Sequence, residues 1–311
     1  MNSAWAFSQG MLTLYGIAFL GFIIKKTGIL NENANDVLTQ LILYVTLPAL
    51  ILGSLDISFS FTLVNELIWL TGMSAFILTI SCFSAAWMRR HAKLSENQKS
   101  VYEGLIIFGN QGYIGYAVSY ILLGDQGILY LTMFNLCYLI LIWTYGIYLF
   151  TKNKTSINWR NIFLNPGVLS TLTGLILLFT PLSLPTVVSN GLESVGKMTI
   201  PLSMILIGCL IANVSSRDFF LSLKNQYLWK SAIAKLVIIP LFLLPFAALP
   251  IPFSLLVIAV VVSGMPSAPT MSLYSQKYGA DTFFASMGVL LTTLLCVLTV
   301  PLLYFLCRLF Y

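Results

Sequence analysis

Apolar runs of about twenty residues recur along the whole chain, each closed by a charge, a glycine, a proline or an asparagine. They lie at roughly 7 to 25, 34 to 55, 64 to 88, 99 to 123, 126 to 150, 165 to 181, 192 to 213, 227 to 248, 253 to 276 and 282 to 307. A helix rises about 1.5 Å per residue, so a run of this length spans a hydrocarbon core about 30 Å thick. With 58% hydrophobic and 8% charged residues among 311, a water-soluble fold would lack the polar surface to cover itself. The expected fold class is an all-α polytopic membrane protein with ten transmembrane helices.

The net charge of +6 does not point to nucleic acid, because the basic residues are spread over short loops. Lys25 and Lys26 follow the first span, Arg89, Arg90, Lys93 and Lys99 the third, and Lys152, Lys154 and Arg160 the fifth. Arg217, Lys224 and Lys230 follow the seventh, and Lys277 the ninth. Of 16 basic residues only Lys197, Lys235 and Arg308 fall outside this pattern. The positive-inside rule then makes these loops cytoplasmic and puts both termini outside the cytoplasmic membrane. The N-terminal run lacks a basic leader and a cleavage site, so it reads as a retained span.

The second half of the chain echoes the first. Thr46-Leu47-Pro48 in span two recurs as Thr199-Ile200-Pro201 in span seven, an offset of 153. Gly109-Asn110-Gln111-Gly112 in span four stands opposite Ser263-Gly264-Met265-Pro266 in span nine, and Gly124-Asp125 opposite Gly279-Ala280-Asp281, at offsets of 154 to 156. Five spans is an odd number, so the second copy enters the membrane from the other face. The expectation is two inverted five-helix repeats, residues 1 to 151 and 165 to 311, joined by a cytoplasmic linker at 152 to 164.

Span nine carries Ser263-Gly-Met-Pro-Ser-Ala-Pro-Thr270 at its centre. Pro266 and Pro269 each lack a backbone donor and push the preceding residue out of helical dihedrals, so this helix is expected to break. Irregular backbone at that depth is tolerated only inside protein or beside a water-filled cavity. Span four carries Gly109-Asn110-Gln111-Gly112-Tyr113-Ile114-Gly115 at a matching depth. Two opposed helices broken at one level would cross there, and the freed N–H groups and half-helix dipoles suit a carboxylate. The candidate substrate-binding residues are Asn110, Gln111, Gly112 and Gly115 from span four, and Ser263, Met265, Pro266, Ser267 and Pro269 from span nine. Thr46, Pro48, Thr199 and Pro201 add two kinks lining the cavity, with each threonine hydroxyl expected to bond a carbonyl in the preceding turn. The alternative for the glycines is a small-residue packing seam.

Lys235 in span eight, before Pro240, either balances a substrate carboxylate or snorkels to the interface. Glu66 and Glu103 are expected at solvated helix ends, and Asn135 in a helix-to-helix hydrogen bond. Five cysteines inside apolar runs, without CxxC spacing, indicate neither disulfides nor a metal site. The single histidine, His91, stands in a basic loop, and no span carries paired acids, so an intramembrane enzyme is not expected.

Thr46-Leu47-Pro48, the glycine-rich stretch of span four, Ala234-Lys235-Leu236-Val237-Ile238-Ile239-Pro240, Met265-Pro266-Ser267-Ala268-Pro269, Tyr278-Gly279-Ala280-Asp281 and Thr299-Val300-Pro301 together resemble the auxin efflux carrier family, in particular its bacterial malate or malonate permease-like branch. That family is related to the plant PIN-type carriers and to the bile acid/sodium symporters. The resemblance implies a scaffold of spans one, two, six and seven, and a moving domain of spans three to five and eight to ten whose fourth and ninth helices cross at the site. It implies alternating access for an organic anion, with no cofactor. Coupling to H+ or Na+ and a homodimeric state are left open by it. Where members usually have a proline after the span-four glycines this chain has Ala117, so span four is expected to be less sharply interrupted than span nine.

Overall fold

The computed structural model describes residues 4–31, 33–56, 61–151, 166–180, 184–215, 217, 220 and 222–311. The linker expected at 152 to 164, with Lys152, Lys154 and Arg160, lies outside the described residues.

Among the described residues the regular structure is helical: α1 (Ala4–Lys26), α2 (Ala34–Leu41), α3 (Leu47–Leu55), α4 (Phe61–His91), α5 (Glu96–Ile107), α6 (Tyr116–Leu123), α7 (Asp125–Leu141), α8 (Ile147–Thr151), α9 (Pro166–Phe179), α10 (Thr186–Lys197), α11 (Thr199–Ala212), α12 (Gln226–Ile233), α13 (Ile239–Leu241), α14 (Phe253–Ser263), α15 (Thr270–Tyr278) and α16 (Thr282–Phe310). π-helical turns join α2 to α3 (Ile42–Thr46), lead into α6 (Gln111–Gly115), and join α7 to α8 (Ile142–Gly146) and α12 to α13 (Ala234–Ile238). Among the described residues six helical segments are long and apolar enough to cross a membrane, Ala34–Leu55, Leu63–His91, Asp125–Thr151, Thr186–Ala212, Gln226–Ala248 and Thr282–Phe310, and Pro166–Phe179 and Phe253–Ser263 are shorter apolar helices.

The chain divides into two compact units. The first comprises Met1–Leu67, Gly112–Met133 and Trp159–Ser215, the second Ile68–Gln111, Phe134–Asn158 and Ser216–Tyr311.

In the first unit, α1 and α11 pack backbone against backbone. A Cβ on Gly208 would lie 1.9 Å from the Ala18 carbonyl oxygen, and one on Gly21 would lie 2.3 Å from that of Ile205, so only glycine admits this approach. Pro48 lies inside the helical segment Ala34–Leu55 as the second residue of α3, and the turn before it is widened to π geometry, as suits a ring that brings no N–H to the preceding turn. Pro201 disturbs a segment that is helical from Thr186 to Ala212: α10 ends at Lys197, Met198 keeps helical dihedrals, and Pro201 is the third residue of α11, one turn on from the interruption. The threonine hydroxyls depart from expectation. Thr46 and Thr199 are buried, and neither Oγ1 finds a hydrogen-bond partner among the described residues.

In the second unit, α14 is buried from Leu255 to Ser263 on every face, as an all-apolar helix must be when protein surrounds it. Gly279, at φ +74, ends α15 in the left-handed conformation, and the Ala280 N–H returns to the Ser275 carbonyl. Asp281 then caps α16 by accepting the Phe284 N–H at 2.8 Å. Ser95 caps α5, and the short connection after α4 lays Arg89 against α5. There Glu103 is buried, paired with Arg89 at 2.8 Å and accepting the Tyr145 hydroxyl at 2.5 Å. The expectation of a solvated Glu103 was wrong, because the α4–α5 hairpin brings a cation to it that sequence spacing does not reveal. Asn135 is likewise corrected: its Oδ1 is buried without a hydrogen-bond partner among the described residues. Glu66, in the first unit, is half-buried and accepts the Tyr130 hydroxyl at 2.8 Å.

Candidate functional site

The site is built where two helices of the second unit stop. After α5 ends at Ile107, Phe108 is extended (φ −93, ψ 116), and after α14 ends at Ser263 the chain is non-helical until Thr270. The two interruptions pair in antiparallel fashion, Gly109 opposite Ser267. The Asn110 N–H donates to the Pro266 carbonyl at 2.6 Å, and the Ala268 N–H to the Phe108 carbonyl at 2.9 Å. Backbone groups that each helix gave up by breaking are thereby satisfied by the other, as buried amides require.

The remaining groups of the break near Ser267 can be followed one by one. Pro266 and Pro269 bring no N–H. Gly264 and Met265 donate back into the last turn of α14. The Ser267 N–H is taken by Thr292 Oγ1 of α16 at 3.0 Å, and the Ser267 hydroxyl donates to the Leu105 carbonyl at 2.7 Å. The Ser263 hydroxyl returns to the Val260 carbonyl. The donors between Ser263 and Ala268 are therefore committed to the protein, which corrects the expectation that these hydroxyls offer free groups to a ligand. In the other break, the Gly109 carbonyl accepts both the Tyr138 hydroxyl at 2.7 Å and the Gln111 N–H at 2.9 Å.

Lys235 supplies what these backbone groups do not. It lies on the π turn before Pro240, which brings no N–H to the Leu236 carbonyl one turn back. This segment passes directly beside the break: a Cβ on Gly264 would lie 3.0 Å from Pro240 Cγ and 3.4 Å from the Leu236 carbonyl oxygen. Lys235 is 2% exposed, so it does not snorkel, and its Nζ donates to the Ile107 carbonyl at 3.2 Å. That carbonyl is at the C-terminal end of α5, where the helix dipole is negative and a cation is welcome. A Cβ on Gly109 would lie 3.2 Å from both Lys235 Cε and Nζ and 3.4 Å from the Met265 carbonyl oxygen. Glycine at 109 thus leaves room for the amine. An ammonium has three donors. One is used here, and none of the four ion pairs among the described residues includes Lys235.

Of the residues singled out in the sequence, the structure brings together Asn110, Gln111, Ser263, Met265, Pro266, Ser267, Pro269 and Lys235 in the second unit. All but Pro269 are buried. Gly112, Gly115, Thr46, Pro48, Thr199 and Pro201 belong to the first unit. There a Cβ on Gly112 would touch Leu47 Cδ2 at 4.0 Å, which places the π turn Gln111–Gly115 against the start of α3. Ala117 sits inside α6, and the break in span four falls at the start of the glycine-rich stretch, at Phe108 to Asn110. Tyr138 and Thr292 were missed by the sequence reading. A single hydroxyl in an apolar run carries no signal of the backbone it meets across the fold. Among the described residues no group of three His, Cys, Asp or Glu side chains is arranged to hold a metal, and all five cysteines are free.

The model of the membrane transport protein family matches the chain twice, over residues 6–159 and again over 153–304. The chain belongs to the membrane transport protein family. This is the auxin efflux carrier family to which the sequence motifs pointed, and the two matches are its two repeats. An uncharacterized transporter of Methanocaldococcus jannaschii is 22% identical over 201 residues, which cover 62% of this chain and 65% of the relative, a little under two thirds of its length. The chain is thus a multi-pass helical member of that family.

Proposed function

We propose that this protein is a secondary active transporter that carries a small organic anion, a malate-like or auxin-like carboxylate, across the cytoplasmic membrane. In this reading ten spans form two inverted repeats with both termini outside, and spans four and nine cross at the substrate. Spans three to five and eight to ten are the moving part, and alternating access exposes the crossing to one face at a time.

The observation that carries the reading is the Lys235 amine. It is buried in a membrane-spanning segment, makes one hydrogen bond, and has no acidic partner among the described residues. A charge placed at such depth costs about 3 kcal/mol or more unless something compensates it. A carboxylate is the partner of opposite sign that a transporter brings to its own site. Asn110, next to the paired backbone, is the other side chain assigned to the substrate.

The test is counterflow of radiolabelled malate, malonate and indole-3-acetate in liposomes containing the purified protein. Wild type should exchange at least one of these, and Asn110→Ala should lose exchange while remaining folded in detergent. Unchanged exchange in Asn110→Ala removes Asn110 from the site. Sodium-coupled uptake of a larger amphipathic anion is favoured by one observation, the buried Gln111 Oε1 and Asn135 Oδ1, acceptors without a hydrogen-bond partner among the described residues. Exchange that requires sodium would support that reading.

A further inference from the structure

Lys235 also bears on how transport is driven. When the site is empty, a permanent charge on Nζ would leave a buried ammonium facing one carbonyl oxygen, an arrangement that low-dielectric surroundings penalise heavily. Primary amines escape this cost by giving up a proton, which guanidinium groups cannot do.

Among the described residues no other group near Lys235 takes its charge. The π turn that carries it packs against α12, α13, α5 and α16. The titratable side chains on these helices are Tyr227 and Lys230 of α12, Glu96, Lys99, Tyr102 and Glu103 of α5, and Cys296, Tyr304, Cys307 and Arg308 of α16; α13 has none. Glu103, the one buried acid among them, is held by Arg89 and Tyr145. Glu96 is exposed and bonded to Lys99 at 2.9 Å. Lys230 bonds Gln226 at 3.4 Å and stands over the Tyr227 ring.

Resting on the anion-carrier reading above, we propose that Lys235 is the proton-carrying group of the transport cycle. Nζ takes a proton from water on the side to which the site is open as the carboxylate enters, and ammonium and carboxylate cross together. On the far side the carboxylate departs, the proton returns to water there, and the neutral amine makes the return crossing. Each cycle moves one substrate anion and one proton in the same direction, with no other ion required. The Ile107 carbonyl receives an N–H from Lys235 in both protonation states, so the side chain keeps its place while its charge changes.

The experiment uses the full-length protein in liposomes with a trapped pH dye and radiolabelled malonate, malate and indole-3-acetate, over a pH range in which the probes are fully ionised. Expected is one proton taken up per probe molecule transported. In detergent, apparent affinity should fall about tenfold per pH unit once the empty-site amine is neutral. Lys235→Arg cannot release its proton, so it should bind the probe with little pH dependence, retain exchange and lose net uptake. Should the larger guanidinium not be accommodated, Lys235→Gln gives a second readout, weakened binding with no pH dependence beyond that of the probe. Transport without accompanying protons, pH-independent wild-type affinity, or undiminished net uptake by Lys235→Arg would each overturn the proposal while leaving an anion carrier in place. Failure of every probe to bind folded wild type at any pH would instead remove the carrier reading, and this inference with it.

Discussion

The two interruptions at the centre of the second unit are made in different ways. The one between α14 and α15 is written into its own residues: two prolines within four positions forbid a continuous helix whatever surrounds them. The one after α5 has no proline. Its backbone leaves the helix because groups outside that segment hold it, namely the Pro266 carbonyl on the Asn110 N–H, the Ala268 N–H on the Phe108 carbonyl, Lys235 on Ile107, Tyr138 on Gly109 and the Ser267 hydroxyl on Leu105. One break is intrinsic and the other is imposed. An intrinsic break tolerates loss of its neighbours, whereas an imposed one depends on each brace.

This difference can be attacked variant by variant. The largest loss of stability should come from Arg89→Met, which strands the buried Glu103 carboxylate on α5. About 3 kcal/mol is expected from breaking one side of a buried pair, at the low end of the range because Arg89 keeps a solvent-facing edge. Reversible unfolding in mixed micelles would show it, and a loss below about 1 kcal/mol would mean that Glu103 is not fixing α5. Ser267→Ala takes the donor from the Leu105 carbonyl and should cost about 1–2 kcal/mol by the same measurement. Tyr138→Phe should cost less, about 1 kcal/mol, because the Gly109 carbonyl keeps the Gln111 N–H. Smallest of all is the expected stability change for Pro266→Ala. Pro269 keeps the break open and the carbonyl at 266 still accepts the Asn110 N–H, so a shift within about 0.5 kcal/mol is expected. If Pro266→Ala destabilises more than Ser267→Ala, the intrinsic and imposed labels are the wrong way round.

The same contrast explains what sequence reading reached. Prolines act on their own residue and the one before it, so the break at Met265 to Pro269 could be read without any knowledge of neighbours. The turn at Tyr278 to Asp281 was legible for the same reason, since a left-handed glycine and a capping aspartate are local devices. In span four the glycines flagged the right region, yet the helix stops at Ile107, ahead of all three, because the bonds that hold the break come from residues distant in sequence, most of them over a hundred positions away. Glu103 was misplaced on the same ground: its partner Arg89 belongs to another helix, and hydropathy sees a charge near a span end in either case. Lys235 stood out as an ionisable residue within a span, but whether its amine turned inward or outward depended on the room beside Gly109. Thr46 and Thr199 were matched by the repeat, although the hydroxyl bonds expected of them were not formed.

The account stands on a buried amine that waits for a negative charge beside the paired breaks. The most direct measurement compares binding of each carboxylate with its uncharged amide, malonate against malonamide and indole-3-acetate against indole-3-acetamide, to wild type and to Lys235→Gln. Wild type should bind at least one carboxylate about tenfold or more tightly than its amide, and Lys235→Gln should erase the preference. Equal affinity of acid and amide for wild type, or a preference that survives in Lys235→Gln, would contradict it.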